Sequence, residues 1–162
     1  IEDFDWRLST ARVAAGGPFS TFPCIDRTLA VLEGEGLELA TEGMQPATLT
    51  TTSQPLAFPG DAPTSAGLIG SEVTDLNIMT RRGRVSHRMQ RLAITGSTEL
   101  AADAGEVLVF CYSGTVRIDV DGQAELLSPR DTLHLESTPA RLHVKADGAA
   151  TVFVIELKPI SG

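Results

Sequence analysis

From Val73 to Arg81 the chain alternates, and a period of two puts Leu76 and Ile78 on one face and Asp75, Asn77, Met79 and Arg81 on the other. The pattern predicts a strand with one core face and one polar wall, which either meets solvent or lines a ligand. Similar short stretches occupy most of the chain. Strands are expected at Trp6 to Val13, Thr28 to Leu32, Leu37 to Leu39, Ala47 to Thr51, Pro55 to Phe58, Gly67 to Ile69 and Val85 to Ile94. Beyond these come Glu106 to Tyr112, Thr115 to Val120, Gln123 to Leu127, Thr132 to Glu136, Arg141 to Lys145 and Thr151 to Leu157. Turn chemistry punctuates them, with Gly16-Gly17-Pro18, Gly60-Asp61 and the hairpin pair Asp121-Gly122 the strongest signals. No long stretch carries a 3.6-residue period, and a short helix fits only between Ser97 and Ala104.

The apolar strand, glycine turn and amphipathic strand at residues 29–39 recur at 107–118, and Pro59-Gly60-Asp61 echoes Pro129-Arg130-Asp131. Many short strands, Gly and Pro turns and a repeated half predict an all-β cupin or jelly-roll β-barrel. The expectation is one bicupin-like domain over residues 1–162, built of two merged cupin motifs at about 1–95 and about 96–162. A barrel of this kind holds small ligands inside, which favours a ligand-lining role for the polar wall.

Composition narrows the function. A net charge of -8 and a pI near 4.8 argue against nucleic acid or an anionic membrane as partner. The run Arg81 to Arg91 is locally basic, yet it lacks the interleaved aromatics of a nucleic-acid surface and reads as a solvated loop or edge strand. Cys24 and Cys111 lack metal or redox spacing and fit a reducing compartment. No apolar run has the length of a membrane span, and no signal-peptide pattern opens the chain.

The chemistry-bearing residues point to anion recognition. His87, His134 and His143 form no His-x-His pair, so neither a metal nor another cofactor is expected. There is no Gly-x-Ser-x-Gly elbow, Cys111 sits in an apolar strand, and Gly34-x-Gly36 is a β-turn. Arg27, at the start of a strand, is placed either to grip a carboxylate or to pair internally with Asp26, Asp61 or Asp75. Asn77 offers a donor and an acceptor, Met79 an adaptable apolar surface, and Arg81 or Arg82 a second cation. The candidate ligand-binding set is therefore Arg27, Asp61, Asp75, Asn77, Met79, Arg81 and Arg82, for a small anion. A metal-independent isomerase or lyase using Asp75, Asp61 or His134, and a protein-interaction module, are the alternatives. Exposed sheet edges leave room for a homodimer.

Several motifs carry a resemblance: Trp6-Arg7-Leu8-Ser9-x-Ala11-x-Val13, Gly17-Pro18-Phe19-Ser20-x-Phe22-Pro23, Asp26-Arg27, Leu29-x-x-Leu32-x-Gly34-x-Gly36, Phe58-x-Gly60-Asp61 and Asp75-Leu76-Asn77-x-Met79-x-Arg81-Arg82. Together they resemble the HutD/Ves family from about Asp3 to Arg82, more weakly beyond. The resemblance implies a bacterial cytoplasmic protein of cupin-type architecture, with a regulatory or ligand-binding link to histidine utilisation. It suggests an acid such as urocanate or formylglutamate as ligand. Family members usually have Gly where this chain has Cys24, in a turn suited to positive φ. The family's Trp-x-Asn-Gly-Gly-Gly segment is expected to precede Ile1, which itself suggests a trimmed start.

Overall fold

The computed structural model describes residues 3–102, 105–137 and 141–161. It divides into two compact units, Ile1–Ser86 with Ile160–Gly162, and His87–Pro159. Every regular element among the described residues is a strand.

The first unit contains β1 (Trp6–Val13), β2 (Gly17–Pro18), β3 (Ile25–Glu33), β4 (Leu37–Thr41), β5 (Ala47–Leu49), β6 (Leu56–Pro59), β7 (Thr64–Leu68) and β8 (Val73–Arg81). They form two four-stranded antiparallel sheets, ordered β1-β8-β3-β6 and β2-β7-β4-β5. Leu29, Val31, Phe58 and Val73 from the first sheet pack with Leu37, Leu39, Leu49 and Ala66 from the second. Alternation explains the choice: on β4 the pattern buries Leu37, Leu39 and Thr41 and exposes Glu38 and Ala40.

β9 (Val85–Ala101) begins in the first unit and continues into the second, which adds β10 (Glu106–Ser113), β11 (Val116–Val120), β12 (Gln123–Leu127), β13 (Thr132–Leu135) and β14 (Arg141–Pro159). The sheet runs β12-β11-β14-β10-β13, with β9 also on β14. Two sequence expectations fail here. The stretch from Ser97 is strand through Ala101 rather than helix, with residues 103–104 outside the described set. The strands expected at Arg141 to Lys145 and Thr151 to Leu157 are one continuous β14, because Gly148, at φ 78°, turns the backbone without ending the pairing.

The pairings repeat. β3 pairs with β8 and β6, and β4 with β5 and β7. Correspondingly, β10 pairs with the C-terminal half of β14 and with β13, and β11 with β12 and the N-terminal half of β14. The echo between residues 29–39 and 107–118 thus corresponds to a shared strand arrangement. The Pro59/Pro129 echo does not, since Pro59 ends β6 while Pro129 precedes β13.

A buried polar cluster in the first unit

Register fixes which side chains meet. Across the first sheet Arg7 and Arg27 flank Met79, Ser9 and Leu29 flank Asn77, and Ala11 and Val31 flank Asp75. Directly opposite residues share a face, so the alternation in β8 projects this set toward the same side as the core residues Leu29 and Val31. The opposite face is not plain solvent either: Leu76, Ile78 and Thr80 are all buried. The expectation of one core face and one polar wall becomes a strand buried on both sides.

Arg27 is the centre. Only 7% exposed, it lies with its guanidinium 5.1 Å from the Phe58 ring centre, 5.4 Å from Phe19 and 5.5 Å from Phe22. Three rings solvate its charge through their negative faces. Asn77, in the amide orientation that satisfies both its groups, accepts from Arg27 Nη2 at 2.9 Å and donates to the Thr28 carbonyl at 3.3 Å. Asp75 is 4% exposed. Burial pushes its carboxyl up to about 6, with the Arg27 charge and the Ala11 backbone acting the other way. Burial likewise lowers Arg27 from the ordinary arginine value, opposed by Asp75 and assisted by Arg7. Arg27 Nε and Asp75 Oδ1 have no hydrogen-bond partner among the described residues.

Gly60 makes room for this arrangement. A Cβ there would stand 2.8 Å from the Ile25 carbonyl oxygen and 3.1 Å from Cγ and Cδ of Arg27. Arg7, absent from the sequence-based candidate set, joins the cluster from β1, with its guanidinium 5.1 Å from the Phe4 ring and 6.0 Å from Phe22, and its Nη2 3.7 Å from Met79 Sδ. Its signal was the alternation of Trp6 to Val13, which puts Arg7 opposite Met79 once β1 pairs with β8. Beside it opens a pocket of about 400 Å³, bordered by Phe4, Arg7, Phe22, Ile25 and Arg81. Phe22 therefore borders the open pocket and stacks on buried Arg27.

The structure divides the candidate residues. Arg27, Asp75, Asn77 and Met79 share one buried face, and Arg81 borders the pocket, its Nε donating to the Phe4 carbonyl at 3.1 Å. Asp61 and Arg82 are elsewhere and bind each other: Arg82 donates to Asp61 at 2.9 and 3.0 Å and to Asp26 at 2.7 and 3.0 Å. This clip holds Asp61 down at about 2 and raises Arg82. His134 pairs with Glu106 at 2.7 Å, and His143 Nδ1 lies 4.0 Å from Glu99. Among the described residues, no three His, Cys, Asp or Glu side chains gather as a metal site.

Strand correspondence makes the cluster conspicuous. In the second unit Val107 faces Leu135 and Glu156 as Arg27 faces Phe58 and Met79. Val154 opposite Val109 takes the place of Asn77 opposite Leu29, and Val152 opposite Cys111 that of Asp75 opposite Val31. Val107, Val152 and Val154, at the positions of Arg27, Asp75 and Asn77, all belong to the apolar core. The arrangement thus closes on valines, and the first unit's polar groups are not demanded by it.

The architecture is that of the cupin fold: a cupin 2 conserved barrel domain protein from Leptotrichia buccalis superposes with a TM-score of 0.62 at 14% identity, covering 98% of this chain and 86% of that chain. The chain belongs to the HutD family, whose model matches residues 1–154 and so extends well past the Asp3 to Arg82 motifs. It is 32% identical over 149 residues to an uncharacterized 21.2 kDa protein in the hutC 3' region of Pseudomonas putida, covering 91% of this chain and 77% of the relative. It is 40% identical over 114 residues to protein Ves of Citrobacter koseri, covering 69% of this chain and 57% of that relative's length. Among solved structures, a conserved protein of unknown function from Pseudomonas aeruginosa PAO1 superposes with a TM-score of 0.90 at 31% identity, covering 98% of this chain and 85% of that chain. HutD from Pseudomonas fluorescens SBW25 (formate condition) gives 0.78 at 29%, covering 98% and 81%. No helix among the described residues is long and apolar enough to cross a membrane.

Proposed function

We propose that this HutD-family protein binds a small carboxylate metabolite in its first unit and serves a regulatory or accessory, non-catalytic role in bacterial histidine utilisation, in the cytoplasm. In this reading the two repeated strand arrangements are merged cupin motifs of a bicupin, of which only the first is a binding site. The observation that carries it is the buried Arg27–Asn77–Asp75 set, with an unsatisfied donor on Arg27 and an unsatisfied acceptor on Asp75, where the second unit has valines. Keeping a buried guanidinium costs stability unless its donors are met, which an acid would do by accepting from the free Nε. The names of the HutD and hutC-region relatives supply the pathway, and urocanate or a formylglutamate-like acid the ligand class.

Calorimetric titration with urocanate, formylglutamate, histidine, glutamate and formate tests it. Micromolar binding of one acid without its consumption, abolished by Arg27→Val, is the expected result. Absence of heat with all five would refute the reading.

The Asp75 carboxyl at about 6 favours one second reading, a metal-independent isomerase or lyase with Asp75 as general base. It requires conversion of a bound acid at a rate that rises with pH through about 6 and vanishes in Asp75→Asn.

A further inference from the structure

A buried carboxylate is a poor companion for a carboxylate ligand. Asp75 and Arg27 act on each other electrostatically, yet no direct hydrogen bond joins them, and each keeps one unsatisfied atom. One is an N–H donor; the other is a carboxylate oxygen, which above its titration range only accepts. A simple acid bound at Arg27 would meet the first and be repelled by the second. We infer that Asp75 is a specificity residue selecting nitrogenous acids, molecules that present an acidic group to Arg27 and an N–H to Asp75 Oδ1, over acids of the same shape that lack the N–H. The inference rests on the carboxylate reading and adds the second functional group that the ligand must carry.

The surroundings leave Asp75 little choice. Its strand neighbours Ala11 and Val31 bring no charge, and the charge that acts on it is Arg27 from β3, itself influenced by Arg7 from β1. The backbone of Ala11 already serves the carboxyl group, leaving Oδ1 as the atom without a partner. Buried polar groups are nearly always paired, so an unpartnered acceptor and an unpartnered donor on the same sheet face, within electrostatic reach of each other, favour a ligand that offers both complements. The second unit supports this, since Val152 at the Asp75 position needs no such complement. The discrimination is strong in kind: a site built to receive an N–H rejects the analogue lacking it, because the carboxylate is then buried without a partner.

The test titrates matched probes into the full chain by calorimetry: urocanate against 3-(2-furyl)acrylate, and formylglutamate against its ester isostere 2-(formyloxy)glutarate. At pH 7.5 the N–H member of at least one pair is expected to bind about 10- to 100-fold tighter than its partner, the range for a hydrogen bond to a charged group. Asp75→Val, which copies the residue the second unit uses, should erase that preference without weakening the probe that lacks N–H. The unmodified protein supplies an independent readout. As pH falls through about 6, protonation turns Asp75 into a donor, so the N–H probe should weaken and its partner tighten. Equal affinities within each pair, with binding still lost in Arg27→Val, would overturn the role of Asp75 while leaving the carboxylate reading intact. No binding of any of the four probes would overturn both.

Discussion

Arg27 and Val107 hold the same place in two repetitions of one strand arrangement, the first opposite Phe58 and Met79, the second opposite Leu135 and Glu156. The difference between them is the cost of the candidate site. Replacing a buried ionic group by apolar side chains is often neutral or stabilising by about 1–4 kcal/mol, whereas removing one partner costs about 3 kcal/mol. Arg27→Val alone should therefore destabilise the first unit, and the triple change Arg27→Val, Asp75→Val, Asn77→Val should recover that loss or exceed it. Urea unfolding followed by fluorescence of Trp6, the single tryptophan and part of β1, reads the unit concerned.

The same cluster predicts an unusual pH slope. Asp75 titrates at about 6 in the folded chain against 3.8 for an unperturbed aspartate, so between these values the folded state holds the proton more tightly. Its contribution to stability is thus fully present below about 3.8 and is lost as pH rises through about 6, by up to about 3 kcal/mol. Chemical denaturation from pH 4 to 8 should show this fall in the native chain. In Asp75→Asn the fall should be absent; an unchanged slope would mean that the buried carboxyl does not carry it.

The Arg82 clip predicts the opposite sign. Asp61 is held at about 2, so its stabilising interaction is present above about 3.8 and lost as pH falls toward 2. Because Arg82 binds both Asp61 and Asp26, Arg82→Gln should lower resistance to acid while leaving acid-ligand affinity within about twofold. A large loss of affinity in that variant would return both residues to the binding site.

How far the sequence reveals this arrangement depends on the range of the interactions involved. Strand β8, which spans Val73–Arg81, and the shared face of Asp75, Asn77, Met79 and Arg81 follow from a period of two, a local rule. What joins Asp61 to Arg82 is contact across 21 residues of chain, and nothing local distinguishes that pairing from one between Asp61 and Arg27. Arg7 escaped because its role depends on which strand lies beside β1, and the ring wall because it joins Phe19 and Phe22, ahead of β3, to Phe58 on β6. Nothing local joins the strands expected at Arg141 to Lys145 and Thr151 to Leu157: the Asp147-Gly148 pair between them is compatible with a hairpin, and only pairing on both sides shows that β14 continues.

Gly60 supplies a test that leaves every polar group in place. A methyl group there must displace either the Ile25 carbonyl or the Arg27 stem, since both lie closer than side-chain carbons normally approach. Ile25 is held by the Gly60 N–H at 2.7 Å, so both sides of this contact are tied. Gly60→Ala should accordingly weaken acid binding at least about tenfold, the effect of misplacing a positioning group. Unaltered affinity would show that the Arg27 position does not govern binding.

Cys24 closes the turn just ahead of β3, and its φ of 61° is where an L residue other than Gly, Asn or Asp is strained. Its carbonyl accepts from the Arg82 N–H at 2.8 Å, so the turn is tied to the end of β8 and cannot easily relax. Relief of left-handed strain is worth about 1–2 kcal/mol, partly offset by the entropy that glycine gains in the unfolded chain. Cys24→Gly should therefore raise stability by about 1 kcal/mol, Cys24→Asn by less, and Cys24→Val should lower it because β-branching suits that conformation worst. Urea midpoints for the three variants check the order. Were valine to match glycine, the turn would have to be free to leave the left-handed region, and the tie between Cys24 and Arg82 would not constrain it.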